Sequence, residues 1–284
     1  MKKGDLKYKM LVTDMDYTLL NKEKKISERN GEAFRKAIEK GVHMVVATGR
    51  IYTSARVYAK LLGVSTPIIA SNGAIIREAV FNNPEDTERT IFRDTLDRKA
   101  LTEMIRLSRK YGLVSHFFTE DTIYAEKLVN LSLRYTEWNK YLGQEDQVRI
   151  KIVDDIEEAL LKEKVGILKA VVVDSDSEKL QGLRKDIYAT ELVTVSQSMK
   201  DNLEVMKKGV TKGNAVRILA DMYGIGREEI IAIGDNENDI SMIEYAGLGI
   251  AMGNAEEMLK SAADYITGDY MADGVAEAIE RFIL

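Results

Sequence analysis

Two aspartates stand two residues apart at the end of an apolar run, in Met10-Leu11-Val12-Thr13-Asp14-Met15-Asp16-Tyr17-Thr18. Side chains alternate along a strand, so Asp14 and Asp16 leave on one face. Two anions held that close repel each other and need a cation or a shared proton. A hard divalent ion such as Mg²⁺, held by a few carboxylates and by phosphate oxygens, meets that need. Taken alone, the pair also suits an ordinary turn, where Asp is favoured.

Three further groups carry reactive or phosphate-binding side chains. Thr48-Gly49-Arg50 follows an apolar stretch at 42–47. Lys212, in Thr211-Lys212-Gly213, opens a helical pattern. Gly234-Asp235-Asn236-Glu237-Asn238-Asp239 follows the apolar residues 230–233. Each has a plain reading as a turn, a solvated lysine or a helix cap. Together they supply what phosphoryl transfer needs. There is a carboxylate nucleophile, a second carboxyl for proton transfer, acids for Mg²⁺, and a hydroxyl and a lysine for phosphate oxygens.

The elements that must position these groups follow from periodicity. Ser27 caps a helix to about 39, with Gly41 as its stop. Residues 42–47 and 67–70 are short apolar strands on either side of a second helix. Each strand ends in small polar residues, so the ends can gather at the carboxyl edge of a parallel sheet, where open α/β sheets bind ligands. From Asn82-Asn83-Pro84-Glu85-Asp86 the rhythm changes. Helices near 99–111, 131–141, 156–164 and 178–187 mix with strands at 114–119, 122–126, 167–174 and 192–196, a pattern for an α+β insert with an antiparallel sheet. The βα rhythm resumes with helix 212–223 and runs to the end. The fold class is α/β: a Rossmann-like, doubly wound, mostly parallel sheet built from residues 1–85 and 196–284, with an inserted α+β domain at 86–195.

Bulk properties narrow the function. With 41 Lys+Arg against 46 Asp+Glu the net charge is −5, a poor basis for binding nucleic acid or an anionic membrane. The chain has no cysteine, which excludes disulfides, thiolate metal sites and thiol catalysis and fits a reducing cytoplasm. No signal peptide fits the start. The longest uncharged run, 61–76, contains Pro67 and Asn72 and does not read as a membrane span. Gly209-Val210-Thr211-Lys212-Gly213 does not match a P-loop, the loops at Asp14 and Asp235 fail the calcium-loop pattern, and no dinucleotide fingerprint follows a strand.

The order Asp-x-Asp-x-Thr, Thr-Gly-Arg, Thr-Lys-Gly and Gly-Asp-x-x-Asn-Asp resembles the haloacid dehalogenase-like superfamily. The insert lies between the second and third of these motifs and follows Ser71-Asn72-Gly73-Ala74, which resembles the Cof-like phosphatase branch. The resemblance implies a Mg²⁺-dependent hydrolase of a small phosphorylated metabolite such as a sugar phosphate, acting as a monomer or small homo-oligomer. It implies that Asp14 attacks phosphorus and becomes an aspartyl phosphate. Asp16, protonated when chemistry begins, serves the leaving oxygen and then the attacking water. Mg²⁺ is held by Asp14, Asp235 and the backbone carbonyl of Asp16. Thr48, Gly49, Lys212 and Asn238 hold the phosphoryl group, Asp239 and Asn238 steady the metal waters and Lys212, and Thr18 ties down the loop. The insert acts as a cap, with His116, Tyr124 and Arg134, together with Phe118, Tyr135 and Trp138, as candidate substrate selectors. Arg50 reads as a structural salt bridge. A phosphomutase on the same fold and a non-catalytic sensor of a phosphorylated metabolite are the alternatives. One departure stands out: the family carries Gly after the second Asp, and this chain has Tyr17. Either the turn keeps φ negative or Tyr17 is strained.

Overall fold

A computed structural model describes residues 6–62, 66–79, 88–162 and 166–284. Strands β1 (Met10–Thr13), β2 (His43–Ala47), β3 (Ile68–Ala70), β4 (Ile75–Arg77) and β5 (Thr90–Arg93) open an eight-stranded sheet. Strands β6 (Ser115–Phe118), β7 (Thr122–Ala125), β8 (Arg149–Ile152), β9 (Lys169–Val173), β10 (Val193–Ser196) and β11 (Asn202–Lys207) form a second sheet. The chain then returns to the first with β12 (Ile230–Gly234), β13 (Leu248–Ala251) and β14 (Tyr265–Ile266). The helices in chain order are α1 (Glu28–Glu39), α2 (Tyr52–Leu62), α3 (Arg98–Lys110), α4 (Asn130–Asn139), α5 (Ile156–Lys162), α6 (Ser177–Tyr188), α7 (Lys212–Tyr223), α8 (Ile240–Tyr245), α9 (Glu257–Ala262) and α10 (Gly274–Phe282).

The first sheet runs β14-β13-β12-β1-β2-β3-β4-β5. It is parallel from β14 to β3 and antiparallel at β4 and β5. Every residue of β1 is buried, because helices cover both faces of a central strand. Burying a side chain such as Leu11 or Ile231 contributes about 1.5–3 kcal/mol, and this core fixes the sheet edge on which the polar residues stand. Local signals set the elements around it. The Ser27 side chain accepts from the Asn30 N–H and starts α1, and Gly41 at φ +91° ends that segment.

The second sheet runs β10-β11-β9-β6-β7-β8, antiparallel except for the β7–β8 pair. One face packs beneath α3, α5 and α6 through Phe117, Val172 and Leu203. The other carries Phe118, Ile123 and Val171, with Leu131, Tyr135 and Trp138 against them, and meets Ile51 of the first unit. The strands at β4, β5, β8 and β11 were not legible as strands in the sequence. The polar break at 82–86 lies outside the described residues, and with it the expected boundary at 85/86. Because β5 pairs within the first sheet and β11 within the second, we propose that the division follows the pairing, near residues 94 and 208, rather than 86 and 196. The two connections there are tied together by Lys207 Nζ, which donates to Asp94 Oδ1 at 2.6 Å. Across the seam between the units, Arg184 pairs with Glu237 and Arg56 with Asp146. Among the described residues no helix is long and apolar enough to cross a membrane.

Candidate active site

Strands β12, β1 and β2 are adjacent, parallel and in register, with Thr13 opposite Ile233 on one side and Val46 on the other. Asp14, Asp235 and Thr48 therefore emerge side by side where the strands stop. The Asp14 N–H still donates to Ile233 O at 2.9 Å, so the backbone beneath its carboxylate is held by the sheet. A cavity of about 620 Å³ opens above this edge. Asp14, Asp16, Thr48, Gly49, Asp235 and Asn238 all line it, and so does Arg134.

Lys212 lies behind Asp14, fully buried. Its Nζ donates to Asp14 Oδ1 and to Asp239 Oδ1, both at 2.6 Å. Two glycines allow this. A Cβ on Gly213 would lie 2.1 Å from Ser241 O, so only glycine lets the first turn of α7 close on α8. A Cβ on Gly234 would lie 2.5 Å from Asp239 Cβ, so glycine lets Asp239 fold back. There Asp239 Oδ2 accepts from the N–H groups of Asp235 and Asn236. Lys212 is thus placed one layer below the cavity rather than in its wall.

Ligand oxygens of Asp14, Asp235 and Asp239 lie within 4.8 Å of one another. Asp14 gives one oxygen to Lys212, and Asp235 gives one to Thr18 Oγ1 at 3.1 Å. Each keeps its second oxygen, with no hydrogen bond to it among the described residues. Asp239 spends both of its oxygens on Lys212 and backbone N–H groups. Burial raises the Asp14 and Asp235 carboxyls well above the ordinary carboxylate value, and the neighbouring aspartates push the same way. Two spare oxygens on crowded, desolvated carboxylates are a donor set that fits one hard divalent cation. Asp14 and Asp235 would hold it.

Asp16 differs from the sequence expectation. Its side chain is turned toward Arg50, which donates through Nε and Nη2 at 2.7 Å each, and toward Lys24 Nζ at 2.8 Å. Burial alone would raise its carboxyl, but Arg50 and Lys24 together hold it well below the ordinary range. In this arrangement Asp16 is charged, not protonated, and its carboxylate stands apart from the three-aspartate group. Arg50 thus forms a salt bridge, and its partner is a carboxylate that lines the cavity. The Tyr17 question is settled in favour of strain, with φ at +61°. The ring packs edge-on against Tyr270, Lys24 lies 4.1 Å from its centroid, and Asn254 Nδ2 donates to its carbonyl.

Two of the candidate selectors are corrected. Tyr124 pairs with Phe117 and shares its face, so it points into the core under α3 and α5. His116 shares the cavity-side face with Phe118, but the start of α4 covers it. Its Nε2 lies 3.0 Å from Val129 O and 3.3 Å from Ser132 Oγ, it is fully buried, and burial lowers its basicity. Phe118, Arg134, Tyr135 and Trp138 do line the cavity.

The sequence reading missed a buried ion pair in the cavity wall. Lys169 on β9 donates to Glu204 Oε2 on β11 at 2.8 Å and to the carbonyl of Gly49. Glu204 also accepts from Asn72 Nδ2, from Ser198 Oγ at 2.7 Å and from Asn202 Nδ2 at 3.2 Å. Asn72 Oδ1 in turn accepts from Asn238 Nδ2 at 3.1 Å. The second sheet is therefore wired to both loops that carry the polar edge. The strand alternation in Asn202-Leu203-Glu204-Val205-Met206 was the available signal: Leu203 and Val205 face the core, and Asn202 and Glu204 face the cavity.

Several known proteins are similar to this chain along its length. The sequence profile described as haloacid dehalogenase-like hydrolase matches residues 11–279. The 5-amino-6-(5-phospho-D-ribitylamino)uracil phosphatase YcsE of Bacillus subtilis is 32% identical, covering 100% of this chain and 99% of its own. The pyridoxal phosphate phosphatase YbhA of Escherichia coli is 25% identical over 97% of this chain and 99% of its own. A haloacid dehalogenase-like hydrolase structure from B. subtilis superposes with a TM-score of 0.84 at 28% identity, covering 97% of this chain and 100% of that one.

Proposed function

This chain belongs to the haloacid dehalogenase-like hydrolases, and from that premise we propose that it is a Mg²⁺-dependent phosphatase of a small phosphorylated metabolite, acting through an aspartyl phosphate. The observation that carries the reading is the floor of the cavity. Asp14 stands at the end of β1 with one oxygen fixed by Lys212 and the other without a hydrogen bond, its carboxylate grouped with that of Asp235. Asp14 thus offers an oriented carboxylate, one oxygen of which could attack phosphorus while the other shares a cation with Asp235, since a carboxylate oxygen bonded to Lys212 keeps a second lone pair. The names of the two relatives, both phosphatases of small phosphorylated molecules, support the same class.

In the first step an Asp14 oxygen bonds to phosphorus as the ester oxygen leaves opposite it. In the second, water attacks the aspartyl phosphate, inorganic phosphate departs and Asp14 is regenerated. A bound Mg²⁺ supplies charge neutralisation for the phosphoryl oxygens and for Asp14. Thr48 and Asn238 line the space where those oxygens gather, and Lys212 adds positive charge from beneath Asp14. Asp239 holds Lys212 in place. Asp16 would protonate the leaving oxygen and then take a proton from the attacking water, and for the first of these it must exchange Arg50 and Lys24 for a proton. The second unit closes over the site and excludes water from the acyl phosphate. The absence of cysteine suits a cytoplasmic setting.

The test is phosphate release from p-nitrophenyl phosphate and a panel of metabolite monoesters, with and without Mg²⁺. We expect Mg²⁺-dependent release and a loss of about 10³-fold or more in Asp14→Asn. Turnover by Asp14→Asn at the wild-type rate, or no turnover of any ester by the wild type, would overturn the reading.

A further inference from the structure

The cavity has two unlike walls. The inner one is the polar edge already described. The outer one is aromatic: Tyr58 from α2, Tyr135 and Trp138 from α4, and Phe118 from β6. The planes of Tyr58 and Trp138 lie within 7° of each other, with centroids 6.4 Å apart. The two rings stack on each other, so a third flat ring laid against Trp138 would extend that stack, with Tyr58 backing it. Tyr135 stands edge-on to Trp138 at 5.9 Å and 78°. The set begins one side chain from Asp16, since the Arg50 guanidinium lies 4.6 Å from the Tyr58 centroid.

The buried ion pair on this side of the cavity is already spent, and the charged group that α4 itself adds to the lining is Arg134. Glu204 accepts four hydrogen bonds from protein donors, and Lys169 donates to Glu204 and Gly49. The ring faces themselves offer a hydroxyl no partner, so a sugar hydroxyl laid flat against them is desolvated at a cost. A flat unsaturated ring gains there by burial and by offset or edge contacts.

We propose that Trp138, Tyr135 and Tyr58 select a planar aromatic or heteroaromatic ring in the leaving group, so that the substrate class is a ring-bearing phosphate monoester. This rests on the phosphatase reading above and names the half of the substrate that reading leaves open. Uridine 5′-phosphate and ribose 5-phosphate form a matched pair differing in the ring. Pyridoxal 5′-phosphate and glucose 6-phosphate form a second pair.

The experiment compares kcat/KM across both pairs in the wild type, Trp138→Ala and Trp138→Phe. We expect the wild type to favour the ring-bearing esters by at least about tenfold, the scale of stacking a base on an aromatic side chain. Trp138→Ala should erase most of that ratio, and Trp138→Phe should keep most of it. Trp138 is the only tryptophan in the chain, so its fluorescence gives a readout independent of turnover. In Asp14→Asn, uridine 5′-phosphate should quench it and ribose 5-phosphate should not. Equal kcat/KM within each pair, or an equal fall for both members in Trp138→Ala, overturns the ring assignment while leaving the phosphatase reading intact. If no ester is hydrolysed but the ring-bearing ligand still quenches, the phosphatase reading falls and the ring site stands.

Discussion

Two lysines are buried at the cavity, and they are solved differently. Lys212 sits in the first turn of α7 between two carboxylates, Asp14 and Asp239, both belonging to the polar edge of the first sheet. Burial opposes its charge, yet those two carboxylates hold its ammonium well above the ordinary lysine value. Lys169 sits in a strand of the second sheet, paired with one carboxylate of its own sheet and one backbone carbonyl of the other unit. Burial alone would raise the Glu204 carboxyl, but Lys169, Ser198 and Asn72 hold it below its ordinary value. The first lysine balances charge within the reacting group. The second fastens one unit to the other, with a charge at one end and a neutral dipole at the other. A buried charge is tolerated only when partnered, so the partner reveals the job.

The largest effect should come from the first lysine. Lys212→Met removes positive charge beneath the nucleophile and should lower kcat by about 10²–10³-fold, the scale of losing one preorganised electrostatic group. It also leaves two buried carboxylates facing each other. Urea unfolding should show a loss of about 3–5 kcal/mol, with part of it returned in Lys212→Met/Asp239→Asn. If kcat is unchanged, the division of labour between the two lysines is mistaken.

Lys169→Met should cost a comparable amount of stability, because Glu204 is then buried without its counter-charge. Its kcat should fall less, by about tenfold, since the reacting groups keep their own partners. Lys169→Met/Glu204→Gln should recover most of the stability. A Lys169→Met enzyme as impaired in kcat as Lys212→Met would erase the distinction.

A smaller, pH-linked effect sharpens the same contrast. Asp14 and Asp235 have folded-state values raised above their ordinary one. Between the unfolded and folded values the folded chain binds more protons, so stability falls as pH rises through that window, from about 4 toward neutral and above. Glu204 works in the opposite sense: its stabilisation is present above the unfolded value and is lost as pH falls through the folded one. Melting temperatures of the metal-free protein should therefore drop from pH 5 to pH 8, and Mg²⁺ should restore more at pH 8 than at pH 5. A flat difference between the two would mean that the cation does not bind these acids.

The least effect belongs to a residue touching neither lysine. Tyr17→Gly relieves a left-handed backbone, worth about 1 kcal/mol, and loses the contacts with Tyr270 and Lys24, worth a similar amount. The melting temperature should move by only a few degrees, and phosphate release should stay within about threefold.

The same contrast governs what the sequence disclosed. Asp14, Thr48, Asp235 and Asp239 were legible because each follows an apolar strand within one or a few residues, and parallel strands gather their carboxyl ends. Lys212 was legible as part of a short motif. Lys169 and Glu204 were not, because their partners come from Gly49 and Asn72, in the other unit, and because Asn202–Lys207 is a strand whose polar face looks inward. Asp16 lines the cavity, but its pairing with Arg50 and Lys24 depends on side-chain direction, which spacing does not carry. Tyr124 was misjudged for a reason of parity: one step along a strand exchanges cavity for core.

The tie between Lys207 and Asp94 sets the mechanics of the molecule. Two connections lying side by side make a door with two pins. If the second unit moves on these two connections, the line through them is the axis about which it would swing. Such a swing would part Arg184 from Glu237 and Arg56 from Asp146 together and lift Lys169 from Gly49. Such a rotation would carry Phe118, Tyr135 and Trp138 with the second unit and leave Tyr58 behind on α2, so the aromatic wall would be complete only in the closed arrangement.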